Sequence, residues 1–275
     1  MVPAGPGQDA RTSASSQPRL EHVGGVVLDL DGTVYDERGL IAGAAEAVTA
    51  IRSAGLGLRF ATNTSREPRA ALVERLRSLG VDAGLDEVLT APRAAAAWLA
   101  SHGLTQISLH VAAATVEEFA AFTIVEQSPQ AVVVGDLGDE WSVDRLNRVF
   151  RHVLGGAHLL AIQKNRYWRH GGALCLDAGP FVAAIEYATG AIAVVAGKPS
   201  KQFFEAAASA LAVSAADLVV VGDDVRADVE GARLAGARGV LVRTGKFHPA
   251  DLDDADLHPD RVLDSIADLP AALGI

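Results

Sequence analysis

Residues 23–35 read Val-Gly-Gly-Val-Val-Leu-Asp-Leu-Asp-Gly-Thr-Val-Tyr, an apolar run that ends in two carboxylates, Asp29 and Asp31. Val26–Leu30 is short, apolar and rich in β-branched residues, which predicts a strand buried on both faces, as in a parallel sheet. Gly32 then breaks it. A charge at the end of a buried strand has to be paired, hydrogen-bonded or set on a cation. Two of them beside a turn point to a cation and a reacting group at one place. Asp-x-Asp-Gly is also ordinary turn chemistry, because Asp accepts from nearby backbone N–H groups and Gly permits positive φ. EF-hand calcium loops begin with Asp-x-Asp as well. Their Gly falls at another offset, Leu40 stands where their closing Glu would be, and a helix rather than a strand precedes them.

Outward from this stretch the chain alternates. Ala44–Ala54 carries apolar residues at helical spacing and stops at Gly55, and Leu58–Ala61 is a second short strand running into Thr62-Asn63-Thr64-Ser65. Arg69–Leu79 presents an apolar stripe of Leu72, Val73, Leu76 and Leu79, with Thr64 and Glu67 spaced as a capping box and Gly80 as the stop. Helices over Ala91–Ser101, Val116–Phe122 and Val143–Val153 then interleave with strands at Ile107–Val111, Ala131–Val134 and His158–Ile162. The last third predicts helices at Phe181–Ala188, Gln202–Ala212 and Ala227–Leu234, and strands at Ala193–Val195, Leu218–Val221 and Gly239–Val242. Strand–helix alternation of this kind predicts an α/β fold with a doubly wound, Rossmann-like parallel sheet. The loop 251–260 holds five aspartates and reads as a solvated acidic surface.

At 275 residues and 49% apolar, the chain can bury a large core in one domain or two. Its 34 acidic and 24 basic residues give a formal charge of −10, which argues against a nucleic-acid surface. An anionic substrate is still compatible where a cation or a few basic groups act locally. The single cysteine, Cys175, has no disulfide partner and reads as a small core residue, and no Cys/His cluster has zinc-site spacing. Residues 1–22 are rich in Pro, Gly, Ser and Gln without an apolar segment, which predicts a disordered tail and not a signal peptide. No apolar run approaches the ~20 residues of a membrane span. The expectation is a soluble, cytoplasmic protein.

Three further sites share the carboxyl end of a predicted strand, the edge at which open α/β sheets bind ligands. Thr62 and Asn63, with the hydroxyls of Thr64 and Ser65 and a following helix N-terminus, make an anion cradle suited to phosphate; plain helix capping is the alternative. Lys198, one of four lysines, follows a strand and precedes a proline, a fixed charge for a phosphoryl oxygen or else a surface lysine in a turn. Asp223, Asp224 and Asp228 put three carboxylates within six residues. They would repel unless a divalent cation sat among them, and oxygen-only ligands suit Mg²⁺. A metal-free acidic loop is the other reading.

Taken together, Asp29-Leu30-Asp31-Gly32-Thr33, Thr62, Lys198 and Gly222-Asp223-Asp224 with Asp228 resemble the four motifs of the haloacid dehalogenase superfamily of phosphohydrolases. The long α/β stretch between Thr62 and Lys198 is similar to the nitrophenylphosphatase-like branch (subfamily IIA), which inserts a large α/β cap there. Thr90-Ala91-Pro92, Asn165-Arg166-Tyr167, Leu176-Asp177-Ala178-Gly179-Pro180-Phe181, Gly197-Lys198-Pro199-Ser200 and Arg243-Thr244-Gly245-Lys246-Phe247 resemble the subfamily of phospholysine phosphohistidine inorganic pyrophosphate phosphatase and its haloacid-dehalogenase-domain relatives.

The resemblance implies a core over 23–80 plus 190–275 and a cap over 81–189. It implies Asp29 as nucleophile, forming an aspartyl-phosphate, and Asp31 as proton shuttle. It also implies Mg²⁺ on Asp29, Asp223 and the main-chain carbonyl of Asp31, with Asp224 and Asp228 in support. Phosphoryl oxygens would be met by Gly32, Thr62, Asn63 and Lys198. Arg166, Tyr167, Trp168 and Asp177 are cap candidates for substrate contact, although Asp177 is better read as a helix cap. One departure stands out, Thr64 where many relatives have a second asparagine. The substrate expected is a small phosphorylated metabolite, with phosphohistidine, phospholysine or pyrophosphate as the alternative and a homodimer through the cap as the implied assembly. A phosphate-sensing scaffold would need no second carboxylate, dehalogenation would need no metal-binding carboxylates, and phosphoryl transfer to another acceptor stays open.

Overall fold

The apolar stretch forms β1 (Gly25–Asp29), all five residues buried, inside a six-stranded parallel sheet. The structure, a computed structural model, describes residues 20–170, 173–255 and 257–275, with the side chains of 168–170 also outside the described set. After β1 come the hairpin β2 (Tyr35–Asp36) and β3 (Gly39–Leu40), α1 (Ala44–Ser53), β4 (Gly57–Thr62), α2 (Arg69–Ser78) and β5 (Val88–Thr90). The chain continues with α3 (Ala91–Ser101), β6 (Gln106–His110), β7 (Thr123–Ile124), β8 (Ala131–Val134), α4 (Val143–Leu154) and β9 (His158–Ala161). A second hairpin, β10 (Tyr167–His170) and β11 (Ala173–Leu176), precedes α5 (Ala178–Thr189) and β12 (Val194–Val195). Last come α6 (Lys201–Ala210), β13 (Leu218–Gly222), α7 (Gly231–Leu234), β14 (Arg238–Val242), β15 (Arg261–Leu263) and α8 (Leu269–Leu273).

The first sheet has the order β15–β14–β13–β1–β4–β5 and the second β12–β9–β8–β6–β7, every pair parallel. Along β1 the side chains alternate between two cores. Val26 and Leu28 pack with Ile51 of α1, Leu72 and Leu76 of α2 and Leu273 of α8, whereas Val27 packs with Phe203, Phe204 and Ala207 of α6. Helices therefore cover both faces, which is what a continuous apolar strand demands. Each fully buried Leu, Ile or Phe contributes about 1.5–3 kcal/mol relative to exposure. In the first sheet the chain runs from β1 outward through β4 and β5, then returns to build β13, β14 and β15 on the other side. The strand order thus reverses between β1 and β13, and the crevice beyond their carboxyl ends is where such a sheet binds ligands.

Several expectations move. Val88–Thr90, placed in the cap by the sequence division, pairs with β4 of the first sheet, and Val194–Val195, placed in the core, pairs with β9 of the second. The chain changes sheets after Thr90 and after Val195 rather than at 81 and 189. Strands of two or three residues carry too little alternation to declare a sheet. The helix expected over Val116–Phe122 is a 3-10 turn at Ala113–Phe119. The helix expected over Ala227–Leu234 begins earlier, as a wide π-type turn at Val225–Glu230 running into α7. The Thr64–Glu67 capping box does not form: Pro68 starts α2 and Glu67 pairs with Arg75.

Of the expected tail, residues 1–19 lie outside the described residues, but Leu20–His22 are tied down. The Leu20 N–H donates to the Ala272 carbonyl (3.1 Å), and Arg238 donates to the carbonyls of Glu21 (2.5 Å) and His22 (3.1 Å). The acidic loop is also more than solvated surface, since Asp260 accepts from the Gly239 N–H (2.7 Å) and Asp254 pairs with Arg226 (2.8 Å). Among the described residues no helix is long and apolar enough to cross a membrane.

Candidate active site

Because β1 and β13 are adjacent and parallel, the residues that end them meet at one edge. Asp29, Asp223 and Asp228 are all buried there, each with a carboxylate oxygen within 4.8 Å of the others. Lys198 is the counter-charge: its Nζ lies 2.5 Å from Asp29 Oδ1 and 2.6 Å from Asp228 Oδ1, itself only 4% exposed. Burial works against charge on this ammonium, but Asp228 and Asp29 outweigh it and hold its pKa above the ordinary lysine value. Asp223 and Asp228 are pushed the other way by burial, with the Asp29 charge adding, so both carboxyls titrate above the usual range.

One lysine does not balance this group. Asp228 is fully used, Oδ1 by Lys198 and Oδ2 by the Asp224 N–H (3.3 Å). Asp223 Oδ2 accepts from the Lys246 N–H (2.6 Å), while its Oδ1 is buried without a hydrogen-bond partner. A buried, orphaned carboxylate oxygen beside a second carboxylate is costly unless a cation takes it up. The donor set, all oxygen, suits a hard divalent ion.

Asp223 is threaded between two loops that can come this close only as glycine. Gly32 and Gly245 both have positive φ (86° and 58°), and a Cβ at either would fall about 2 Å from Asp223 Oδ2. Thr244 Oγ1 donates to the Gly32 carbonyl (2.5 Å), bolting the second loop onto the first. Gly32 was expected to meet phosphate; its N–H instead donates to the Tyr35 carbonyl (2.7 Å), closing the turn after β1. Asp31 stands at the mouth, reachable by solvent yet hemmed in on most sides. That enclosure, with Asp29 adding, raises its pKa above the ordinary aspartate value. Thr33 Oγ1 reaches Asp29 Oδ2 at 3.4 Å.

On the other side of β1, β4 delivers Thr62, buried, whose Oγ1 accepts from the Thr64 N–H (3.0 Å) and keeps its own proton to donate. Asn63, also expected at phosphate, spends both ends of its amide on the main chain of Lys198. Asp224 caps the turn after β13, accepting from the N–H groups of Arg226 (3.1 Å) and Ala227 (2.9 Å), with Lys246 Nζ at 3.4 Å. Burial opposes its charge, but Lys246 and the Ala227 N–H prevail and its pKa is lowered. Lys246 and Thr244 have no signal of their own in the sequence beyond the Arg243–Phe247 stretch.

The second sheet lies across from this edge. Arg66, in the loop after β4, pairs with buried Asp136 beyond β8 (2.5 Å), at a cleft of about 580 Å³ that also takes in Ala112 and Glu140. Lys164 and Asn165, rather than their neighbours Arg166 and Tyr167, line a crevice of about 290 Å³ with Lys198. The Arg166 and Tyr167 side chains are exposed, and the Trp168 side chain lies outside the described residues. Asp177 is the N-cap of α5, accepting from the Ala178 N–H (2.7 Å) and from Gln163 Nε2, and burial raises its pKa.

The profile of the family described as haloacid dehalogenase-like hydrolase matches residues 26–123, and a HAD-hydrolase-like profile matches residues 195–269. The chain is 38% identical over 256 residues to phospholysine phosphohistidine inorganic pyrophosphate phosphatase of Homo sapiens, spanning 91% of this chain and 94% of that one. It is 40% identical over 234 residues to haloacid dehalogenase-like hydrolase domain-containing protein 2 of Bos taurus, spanning 85% and 89%. Among solved structures, a p-nitrophenyl phosphatase from Archaeoglobus fulgidus aligns with a TM-score of 0.85 at 30% identity, covering 91% of this chain and 99% of that one. NagD from E. coli K-12 aligns at 0.82 and 27%, covering 89% and 97%.

Proposed function

The chain belongs to the haloacid dehalogenase-like hydrolases, as one of their phosphatases, and from that membership we propose a Mg²⁺-dependent hydrolysis of a small phosphorylated molecule through an aspartyl-phosphate on Asp29. The observation that carries it is the buried constellation at the β1/β13 edge, where Lys198 bridges Asp29 and Asp228 and Asp223 keeps one oxygen unpaired. Asp29, Asp223 and the main-chain carbonyl of Asp31 would hold Mg²⁺, which would supply positive charge for the phosphoryl oxygens and relieve the repulsion around Asp29.

The residues do the rest. Asp29 attacks phosphorus, the bond to the leaving group breaks, and Asp31 gives that group its proton. The raised pKa of Asp31 shifts it toward the protonated form, and its exposed place suits a group that meets both leaving group and water. Asp31 then takes a proton from water, whose oxygen attacks the phosphoryl group and frees Asp29. Lys198 and the Thr62 hydroxyl hold phosphoryl oxygens through both steps, so charge is stabilised by groups already in place. Release of nitrophenol from 4-nitrophenyl phosphate with Mg²⁺ is the test. Asp29→Ala should drop it to background, and activity surviving that change rules the reading out.

Hydrolysis of P–N or P–O–P bonds is the second reading, favoured by the similarity to the human phospholysine phosphohistidine inorganic pyrophosphate phosphatase over nearly the full length of both chains. Faster phosphate release from imidodiphosphate or pyrophosphate than from sugar phosphates selects it, and the reverse order removes it.

A further inference from the structure

Lys198 reaches the site from the wrong sheet. The residues before it pair with β9 of the second sheet, the Ala196 N–H on the Ala161 carbonyl (2.9 Å) and the Gly197 N–H on the Ile162 carbonyl (2.8 Å). Its carboxylate partners, Asp29 and Asp228, belong to the first sheet. A long, flexible side chain crossing between two sheets does not by itself hold an ammonium to within a fraction of an ångström.

We propose that Asn63 is the positioning residue that fixes Lys198 for catalysis. Asn63 sits one residue beyond the end of β4, beside Thr62. Its Oδ1 accepts from the Lys198 N–H (2.8 Å) and its Nδ2 donates to the Lys198 carbonyl (2.9 Å), across 135 residues of sequence. The clasp holds the peptide groups on both sides of one α-carbon. A primary amide suits this task because it carries one acceptor and one donor in a single plane, the complement of the backbone's own N–H and C=O. Gly197 makes room for it, since a Cβ there would fall 2.6 Å from Asn63 Oδ1. These two bonds commit one Nδ2 hydrogen and one Oδ1 lone pair to the Lys198 main chain and fix the plane of the amide. Its effect on the phosphoryl group runs through the ammonium.

The proposal rests on the phosphatase reading, and its test separates the two. At pH 8, Asn63→Ala should lower kcat on 4-nitrophenyl phosphate on the order of 10²-fold, as displacement of a catalytic charge by about 1 Å does. Asn63→Asp should be as poor at pH 8, where a carboxylate faces the Lys198 carbonyl. A protonated carboxyl restores both the donor and the acceptor, so its kcat relative to wild type should rise at least tenfold between pH 8 and pH 5, while the ratio for Asn63→Ala stays flat. A merely structural role predicts no such recovery in activity per folded molecule, with folding monitored by thermal melting at each pH. Wild-type kcat in both variants, or a flat ratio for Asn63→Asp, overturns the proposal. Hydrogen exchange at the Lys198 amide is read without turnover. It should be slow in wild type and faster by at least tenfold in Asn63→Ala. Should the wild-type chain not hydrolyse phosphate esters, the reading of function falls; the clasp falls only if exchange is equal in the two proteins.

Discussion

Charge at single residues should make the site sensitive to pH and to a divalent cation together. Asp223 and Asp228 have pKa values raised above the 3.8 of an ordinary aspartate, so without metal the folded chain favours their protonated forms. Such groups stabilise the fold most at low pH and withdraw that stability as pH climbs from about 4 through their raised values. Lys198, its pKa also raised, contributes stability below the ordinary lysine value and loses it only in strong alkali, so it does not offset them near neutrality. The metal-free protein should therefore melt lower at pH 7.5 than these two groups would allow at pH 5. Added Mg²⁺ should raise the melting temperature more at pH 7.5, where the carboxylates are ready to bind it. Calorimetry with and without EDTA at the two pH values checks the sign, and an equal shift at both contradicts it. Asp29, Lys198 and Asp223 were legible in sequence because each ends or follows an apolar strand. The Asn63 clasp and the Lys246 N–H on Asp223 were not, because their partners lie 135 and 23 residues away.

Among elements, most of the long periodic ones were read closely: α3 and β8 fall on their expected limits, α1, α2 and α4 end within one residue of them, and α5 begins three residues before the expected Phe181. What escaped was short. The hairpins β2–β3 and β10–β11, and strands β5, β7 and β15, span two to four residues each, less than the pattern needs to show itself. The turn at Val225–Glu230 escaped for another reason: its geometry answers to the site, where Asp224 caps it and Asp228 reaches back to Lys198. At α5 the sequence reading of Asp177 as a cap agrees with its hydrogen bond to the Ala178 N–H. Asp177→Ala should accordingly cost about 0.5–2 kcal/mol in urea denaturation. It should leave kcat/KM within about twofold, since removal of a substrate contact would instead change KM by tenfold or more for every 1.4 kcal/mol of binding lost.

At the scale of the molecule, two parallel sheets carry one site, and this was the part least visible beforehand because no local pattern states how two sheets face each other. Besides the Lys198 pairs with Asp29 and Asp228, two ion pairs among the described residues join them: Arg66–Asp136 and Arg69–Glu118, each at 2.5 Å. In the second, both side chains are largely buried, 19% and 5% exposed. Arg69→Met should leave the Glu118 carboxylate buried and unpaired and cost about 3 kcal/mol of unfolding free energy, whereas Arg69→Met with Glu118→Met should recover most of it. Equal losses in single and double variants would show that the pair does not couple.

The threading of Asp223 between Gly32 and Gly245 also sets an order of manufacture. Asp29, the nucleophile we propose, is made with β1, whereas the wall that holds Asp223, the Thr244 bolt on the Gly32 carbonyl and the Lys246 amide follow only after β14. A nascent chain thus carries this aspartate well before the loops that complete the site around it exist, and the site is whole only once β14 and the loop after it have been made.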